Sequence, residues 1–238
     1  MPTIEQLTAL EILDSRGRPT VQTTCVLRGG AVGTASVPSG ASTGRAEARE
    51  LRDGDPKRFG GLGCRQAVAN VAGEICHRAA GQEFEHQERL DTFLLALDGT
   101  SDKRRLGANA ILAVSLAFAR AEAQARGVPL YVYFAGLTGT TPTLPHLTVN
   151  LFSGGKHAGG QVAIQDVLLV PRTAGTVDEA LAAVYAVYQA AAALCYDKYG
   201  MRALSADEGG LAPPFLDADA MLSDAVEAVE RAGLQPGY

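Results

Sequence analysis

Four short stretches set polar residues among glycines: DSRGRPT (residues 14–20), SGASTG (39–44), SGGKHAGG (153–160) and DEGG (207–210). Glycine adopts positive φ and lets backbone approach a ligand closely, so a reactive side chain held between glycines can project into a cleft. The chemistry on offer is that of a hydroxyl at Ser42, an imidazole at His157 and a proton-donating carboxyl at Glu208. Taken singly, each stretch also has a plain reading: a connector loop, a surface histidine, a solvated Asp207-Glu208 turn. SGASTG has neither the lysine of a P-loop nor the helix-opening spacing of a dinucleotide fingerprint, so by itself it is no nucleotide signature.

The elements that must position these residues follow from periodicity. Between residues 4 and 37 short β-like runs succeed one another, and 21–27 and 31–37 are separated by Arg28-Gly29-Gly30, a hairpin signal that predicts an antiparallel meander. The period then changes. Ala67, Val68, Val71, Ile75 and Ala79 fall at helical spacing, as do Leu90, Phe93, Leu94 and Leu97, and a hydrophobic, Ala-rich helix is predicted over about 107–125, stopped by Gly127 and Pro129. Strands followed by helices predict an α+β N-terminal domain over 1–136, a three-stranded antiparallel meander plus helices.

GLTGTTPTLP (136–145) crowds Gly, Thr and Pro without periodicity and is the predicted linker. A second domain is predicted over 142–238. It opens with β-like runs at 147–151 and 162–170 around a Gly-rich turn, and continues with helices around 177–196 and 217–232. Strand, strand, helix, helix is not a regular βαβ repeat, and a barrel or sheet begun this way is expected to be unfinished.

With 238 residues, 47% of them hydrophobic, the chain has enough apolar side chains for a substantial core in one or two domains. A formal net charge of −5 with both signs interspersed offers no basic face, so neither nucleic acid nor an anionic membrane is an expected partner. Cys25, Cys64, Cys76 and Cys195 form no C-x-x-C pair and have no histidine at metal-ligand spacing, which predicts reduced, mostly buried thiols. The start MPTIEQLTALE lacks the pattern of a signal peptide, and the apolar stretch near 110–119 is too short to cross a bilayer. A cytoplasmic protein without a membrane span is expected.

In their joint occurrence and order, DSRGRPTV, VPSGASTG, ELRDGD (50–55), LDGT (97–100), LGANAILAVSLA (106–117), GGKHAGG and DEGGLAP (207–213) resemble enolase, phosphopyruvate hydratase, over essentially the whole chain. The resemblance implies a small α+β domain joined to an enolase-type TIM barrel that begins with two strands and two helices. It implies Mg²⁺ as cofactor, 2-phosphoglycerate and phosphoenolpyruvate as substrate and product, and a homodimer formed through the N-terminal domain. By the same carry-over Ser42 binds the second Mg²⁺ from a mobile lid. Glu208 is the general acid that protonates the departing hydroxyl, His157 sits on a second closing loop near the phosphate, and Gln165 contacts substrate.

One position departs from the family pattern. Where enolases carry Gln-Glu, this chain has Gln165-Asp166, and one methylene fewer retracts the carboxylate by roughly 1.5 Å, a displacement that can slow a reaction about a hundredfold. Asp166 is expected to help hold the hydroxyl group and tune the acid. From residue 142 the chain supplies about 97 residues, whereas a whole (β/α)₈ barrel takes about 250. The family's three carboxylate ligands for the first Mg²⁺, its lysine base and its phosphate-gripping arginine and serine are therefore expected outside this stretch. The isolated chain is expected to be inactive. The alternative is a non-catalytic enolase-like paralogue serving as a binding or dimerisation module.

Overall fold

The computed structural model describes residues 1–40, 44–200, 205–206 and 208–237, with the backbone alone at His157. Two compact units emerge, Met1–Pro142 and Thr143–Tyr238.

In the first unit β1 (Ile4–Leu13), β2 (Pro19–Leu27) and β3 (Val32–Ser36) form an antiparallel sheet in that order. The hairpin at Arg28-Gly29-Gly30 closes because both glycines take positive φ, 104° and 89°, which lets the Gly30 N–H reach the Leu27 carbonyl at 2.9 Å. Val21, Thr23, Cys25 and Leu27 alternate inward along β2. Helices α1 (Arg65–Asn70) and α2 (Cys76–Ala79) are joined through a wider π turn at Val71–Ile75, so the single helix suggested by the spacing contains an irregular middle. They are followed by α3 (Gln87–Asp98), α4 (Ala108–Ala125) and α5 (Leu130–Thr138).

The core lies between the sheet and α4, whose Ala110, Ala113, Val114, Ala117 and Ala121 are fully buried. Small side chains there allow unusually close approach. A Cβ placed on Gly33 of β3 would come within 3.0 Å of backbone atoms of Ala117, Arg120 and Ala121. Phe118 packs edge-on against Phe84, and Phe84 against Phe93, with centroids 6.1 and 5.4 Å apart.

The sequence pattern ends a helix at Gly127 and Pro129 and starts a linker at Gly136, and so does not predict α5. Pro129 instead stands in extended conformation as the N-cap of the next helix. Tyr133 then anchors that helix, buried, with its hydroxyl donating to Gln87 Oε1 at 3.3 Å. The first three residues of the GLTGTTPTLP stretch are consequently helical, and Gly139 at φ 65° ends the helix.

The second unit opens with β4 (Val149–Ser153) and β5 (Asp166–Leu169), an antiparallel pair, followed by α6 (Val177–Tyr199) and α7 (Ala218–Arg231). The predicted order holds, but β5 starts later than residue 162. The Gly154 N–H bonds the Gln165 carbonyl at 2.6 Å and the Gly155 N–H bonds the Val162 carbonyl at 2.9 Å, so residues 162–165 close a loop before the ladder begins. Helix α6 starts from a capping box in which Thr176 and Glu179 bond each other's backbone N–H. Asp224 of α7, buried, accepts from Lys198 Nζ at 2.7 Å and from the Tyr199 hydroxyl at 2.6 Å, clamping the two helices. At 23 residues α6 is long and apolar enough to cross a membrane by length and composition, longer than the apolar stretch the sequence pointed to. In this fold its Val187, Ala191 and Cys195 instead pack on Leu151, Phe152 and Met221. All four cysteines are free thiols, three of them buried.

Candidate functional site

In the second unit the site grows from the end of β4. Ser153 lies opposite Asp166 in the β4–β5 register. Its N–H donates to the Leu211 carbonyl at 2.9 Å, and the Leu211 N–H returns to Leu151 at 2.9 Å, so the segment after DEGG runs alongside β4. Between Ser205 and Leu211 the chain makes a tight turn, with the Ala206 N–H on Gly210 at 2.8 Å and the Gly209 N–H on Ala206 at 2.9 Å. Gly209 takes φ 84°, a backbone few other residues would accept, and Glu208 stands exposed at the turn. From α6 the Tyr188 hydroxyl donates to the Gly209 carbonyl at 2.8 Å.

The Asp166 carboxylate is held at both oxygens. Asn150 Nδ2 donates to Oδ1 at 2.7 Å, Gln165 Nε2 donates to Oδ2 at 2.7 Å, and the Ser153 hydroxyl lies 3.4 Å from Oδ1. The GGKHAGG loop forms a short 3₁₀ turn at Gly155–Ala158, ended by Gly159 at φ 75°. Gln161 Nε2 ties this loop to the Pro213 carbonyl at 2.7 Å, just beyond the DEGG turn. Gln165, Asp166, the loop that carries His157 and the segment that carries Glu208 are thus linked by hydrogen bonds around β4. The side chain of His157, all of Ser42 and Asp207 lie outside the described residues.

In the first unit the flanks of SGASTG are tied down. Thr20 Oγ1 donates to the Val37 carbonyl at 2.7 Å, and Arg16 donates to the Ser39 carbonyl. Arg52 donates to Ser39 Oγ at 2.9 Å, to the Pro19 and Leu62 carbonyls at 2.6 and 2.9 Å, and to the Glu50 carboxylate. Its planar fork satisfies three chain segments at once, a geometry lysine cannot reproduce. Beside these flanks opens a cavity of about 680 Å³ lined in part by Pro38, Gly44, Arg45, Arg49, Glu50 and Asn109.

Several of the motifs prove architectural. Asn109 in LGANAI pairs with both backbone groups of Leu51, at 3.0 and 3.1 Å, as a neighbouring strand would. Gly107 before it adopts φ 98° with Leu51 pressed against the space a side chain would need. Asp53 in ELRDGD accepts the Arg65 and Gln66 N–H groups that open α1, at 3.0 and 2.9 Å. Asp14 in DSRGRPT closes its turn by accepting the Arg16 and Arg18 N–H groups at 2.8 and 2.9 Å, which hold its pKa below the ordinary value.

Sequence reasoning gave no role to Asn150, to Ser153, although that residue opens SGGKHAGG, or to Tyr188. The signal for Asn150 was a polar residue interrupting the apolar run LTVNLFS, and Tyr188 carried none. Among the described residues no group of three or more His, Cys, Asp or Glu side chains stands together as metal ligands. What the arrangement can do is hold one carboxylate rigidly and present a second on a braced turn.

Residues 4–134 match the family described as enolase, N-terminal domain, and residues 141–237 match enolase, C-terminal TIM barrel domain. A curated relative named Enolase, from Methanopyrus kandleri, is 46% identical over 238 residues, which is 100% of this chain and 55% of the relative. The chain spans about half the length of that relative.

Proposed function

The chain belongs to the enolase family, and from this we propose that it takes part in the reversible, Mg²⁺-dependent dehydration of 2-phosphoglycerate to phosphoenolpyruvate in glycolysis, in the cytoplasm. The observation that carries the reading is the framework around β4, in which Ser153 faces Asp166 on one side and bonds Leu211 on the other, beside the turn of Glu208.

In this reading Glu208 gives its proton to the departing hydroxyl, which leaves as water. Gln165 contacts substrate, Asp166 helps hold the hydroxyl group and tune the acid, and His157 approaches the phosphate from its loop. Ser42 would offer a bound Mg²⁺ one hard oxygen donor. No residue here receives the role of α-proton base, so the 238-residue chain on its own is expected not to turn over. Dimerisation through the first unit belongs to the same proposal.

A second reading, a non-catalytic paralogue, is favoured by Asp166 itself, whose shorter side chain is engaged by Asn150 and Gln165. One experiment separates the two. This chain replaces the matched 55% of the relative, and phosphoenolpyruvate formation by the chimera is followed with and without Mg²⁺. The expected result is Mg²⁺-dependent turnover that Glu208→Gln lowers about 10²- to 10⁴-fold. A folded chimera without turnover, or one indifferent to Glu208→Gln, overturns the reading. Turnover appearing only with Asp166→Glu establishes the paralogue.

A further inference from the structure

Asn150 has no part of its own in the reaction proposed above. Its Nδ2 donates both to Asp166 Oδ1 at 2.7 Å and to Ser153 Oγ at 2.9 Å, while its Oδ1 is buried with no hydrogen-bond partner among the described residues. Turning the amide over would set Oδ1 against the carboxylate of Asp166, oxygen facing oxygen, so the orientation is dictated by Asp166. Gly210 makes room for it. A Cβ at Gly210 would come 2.5 Å from Ser153 Oγ and 2.6 Å from Asn150 Oδ1. With Gln165 Nε2 on the other oxygen, the carboxylate is fixed in position and in plane by two amide groups.

We propose that Asn150 is a positioning residue: seated over Gly210, it gives the Asp166 carboxylate a single orientation and so offsets the freedom left by a side chain one methylene shorter than the family's glutamate. The inference rests on the enolase reading of Asp166. Its test is side-chain amide hydrogen exchange of Asn150 in the 238-residue chain, followed by NMR in wild type, Asp166→Asn and Asp166→Ala. The Nδ2 protons should exchange slowly in wild type, faster in Asp166→Asn, which keeps a neutral acceptor, and about tenfold or more faster in Asp166→Ala. Backbone amides of β4 should keep their rates. Gly210→Ala should release the same protons with Asp166 intact, and if that variant does not fold, the two Asp166 variants decide.

Equal exchange in wild type and Asp166→Ala overturns the proposal. So does a uniform rise across all β4 amides, which marks Asp166 as a determinant of the strand rather than as the acceptor of Asn150. In an active chimera Asn150→Leu should lower kcat about tenfold with KM unchanged, and an unchanged kcat overturns the positioning role. Because the exchange readout needs no turnover, an inactive chimera with protected Asn150 protons refutes the reaction and leaves the tether standing.

Discussion

The Asp98 carboxylate accepts the backbone N–H of Leu106 at 2.7 Å and that of Thr100 at 2.9 Å, closing the loop between α3 and α4 with Asp98 and Leu106 both buried. Burial pushes its pKa up, but the Leu106 N–H, the Thr100 hydroxyl and N–H and the nearby Arg105 guanidinium together hold it below the ordinary 3.8. A folded pKa below the unfolded one contributes stability that is complete above the unfolded value and is lost as pH falls through the folded value. Asp98→Asn is therefore expected to cost about 1–3 kcal/mol at neutral pH and to show a shallower decline in acid than wild type. Denaturant unfolding from neutral pH to below 3.8 measures both, and unchanged neutral stability would contradict it.

Gly33→Ala is expected to be severe. The added methyl would press on backbone of α4, which no side-chain rotation can relieve. A loss of about 3 kcal/mol or more of unfolding free energy is expected, at the upper end for overpacking, read as a lowered urea midpoint. A loss under half that would mean the sheet slides freely over the helix.

Thr23→Val should go the other way. Thr23 is fully buried on β2, and its hydroxyl has no partner among the described residues. Removing an unpaired hydroxyl while keeping a branched side chain is expected to stabilise by about 1 kcal/mol, seen as a raised urea midpoint with an unchanged slope. Destabilisation of similar size would indicate that the hydroxyl has a partner after all.

Thiol labelling should order the cysteines. Burial pushes Cys25 up to about 12 and Cys195 up to about 11, so neither offers thiolate at neutral pH while folded. Cys76, half-buried, should react first, and all four should react in denaturant. Native labelling of Cys25 at the rate of Cys76 would refute this order.

How much was legible in the sequence depended on whether a feature was local. The β2–β3 hairpin could be read because Arg28-Gly29-Gly30 carries its own turn chemistry, and α4 because eighteen residues hold one period. Helix α5 could not, since what anchors it is distant: Tyr133 packs on Ala119 and Ala123 of α4 and reaches Gln87, 46 residues earlier. The late start of β5 depends on Gly154 bonding across to Gln165. At the candidate site Ser42, His157, Gln165, Asp166 and Glu208 took their roles from resemblance, because a lone serine, histidine or acidic pair has too many ordinary uses. Asn150 escaped notice because an isolated polar residue in a strand reads as one that faces water. Its partner lies sixteen positions on, across the ladder.

Tyr188 belongs to α6, yet the carbonyl it grips is that of Gly209, next to Glu208. Helix and turn are therefore tied at that one point, and removing the phenol removes the tie.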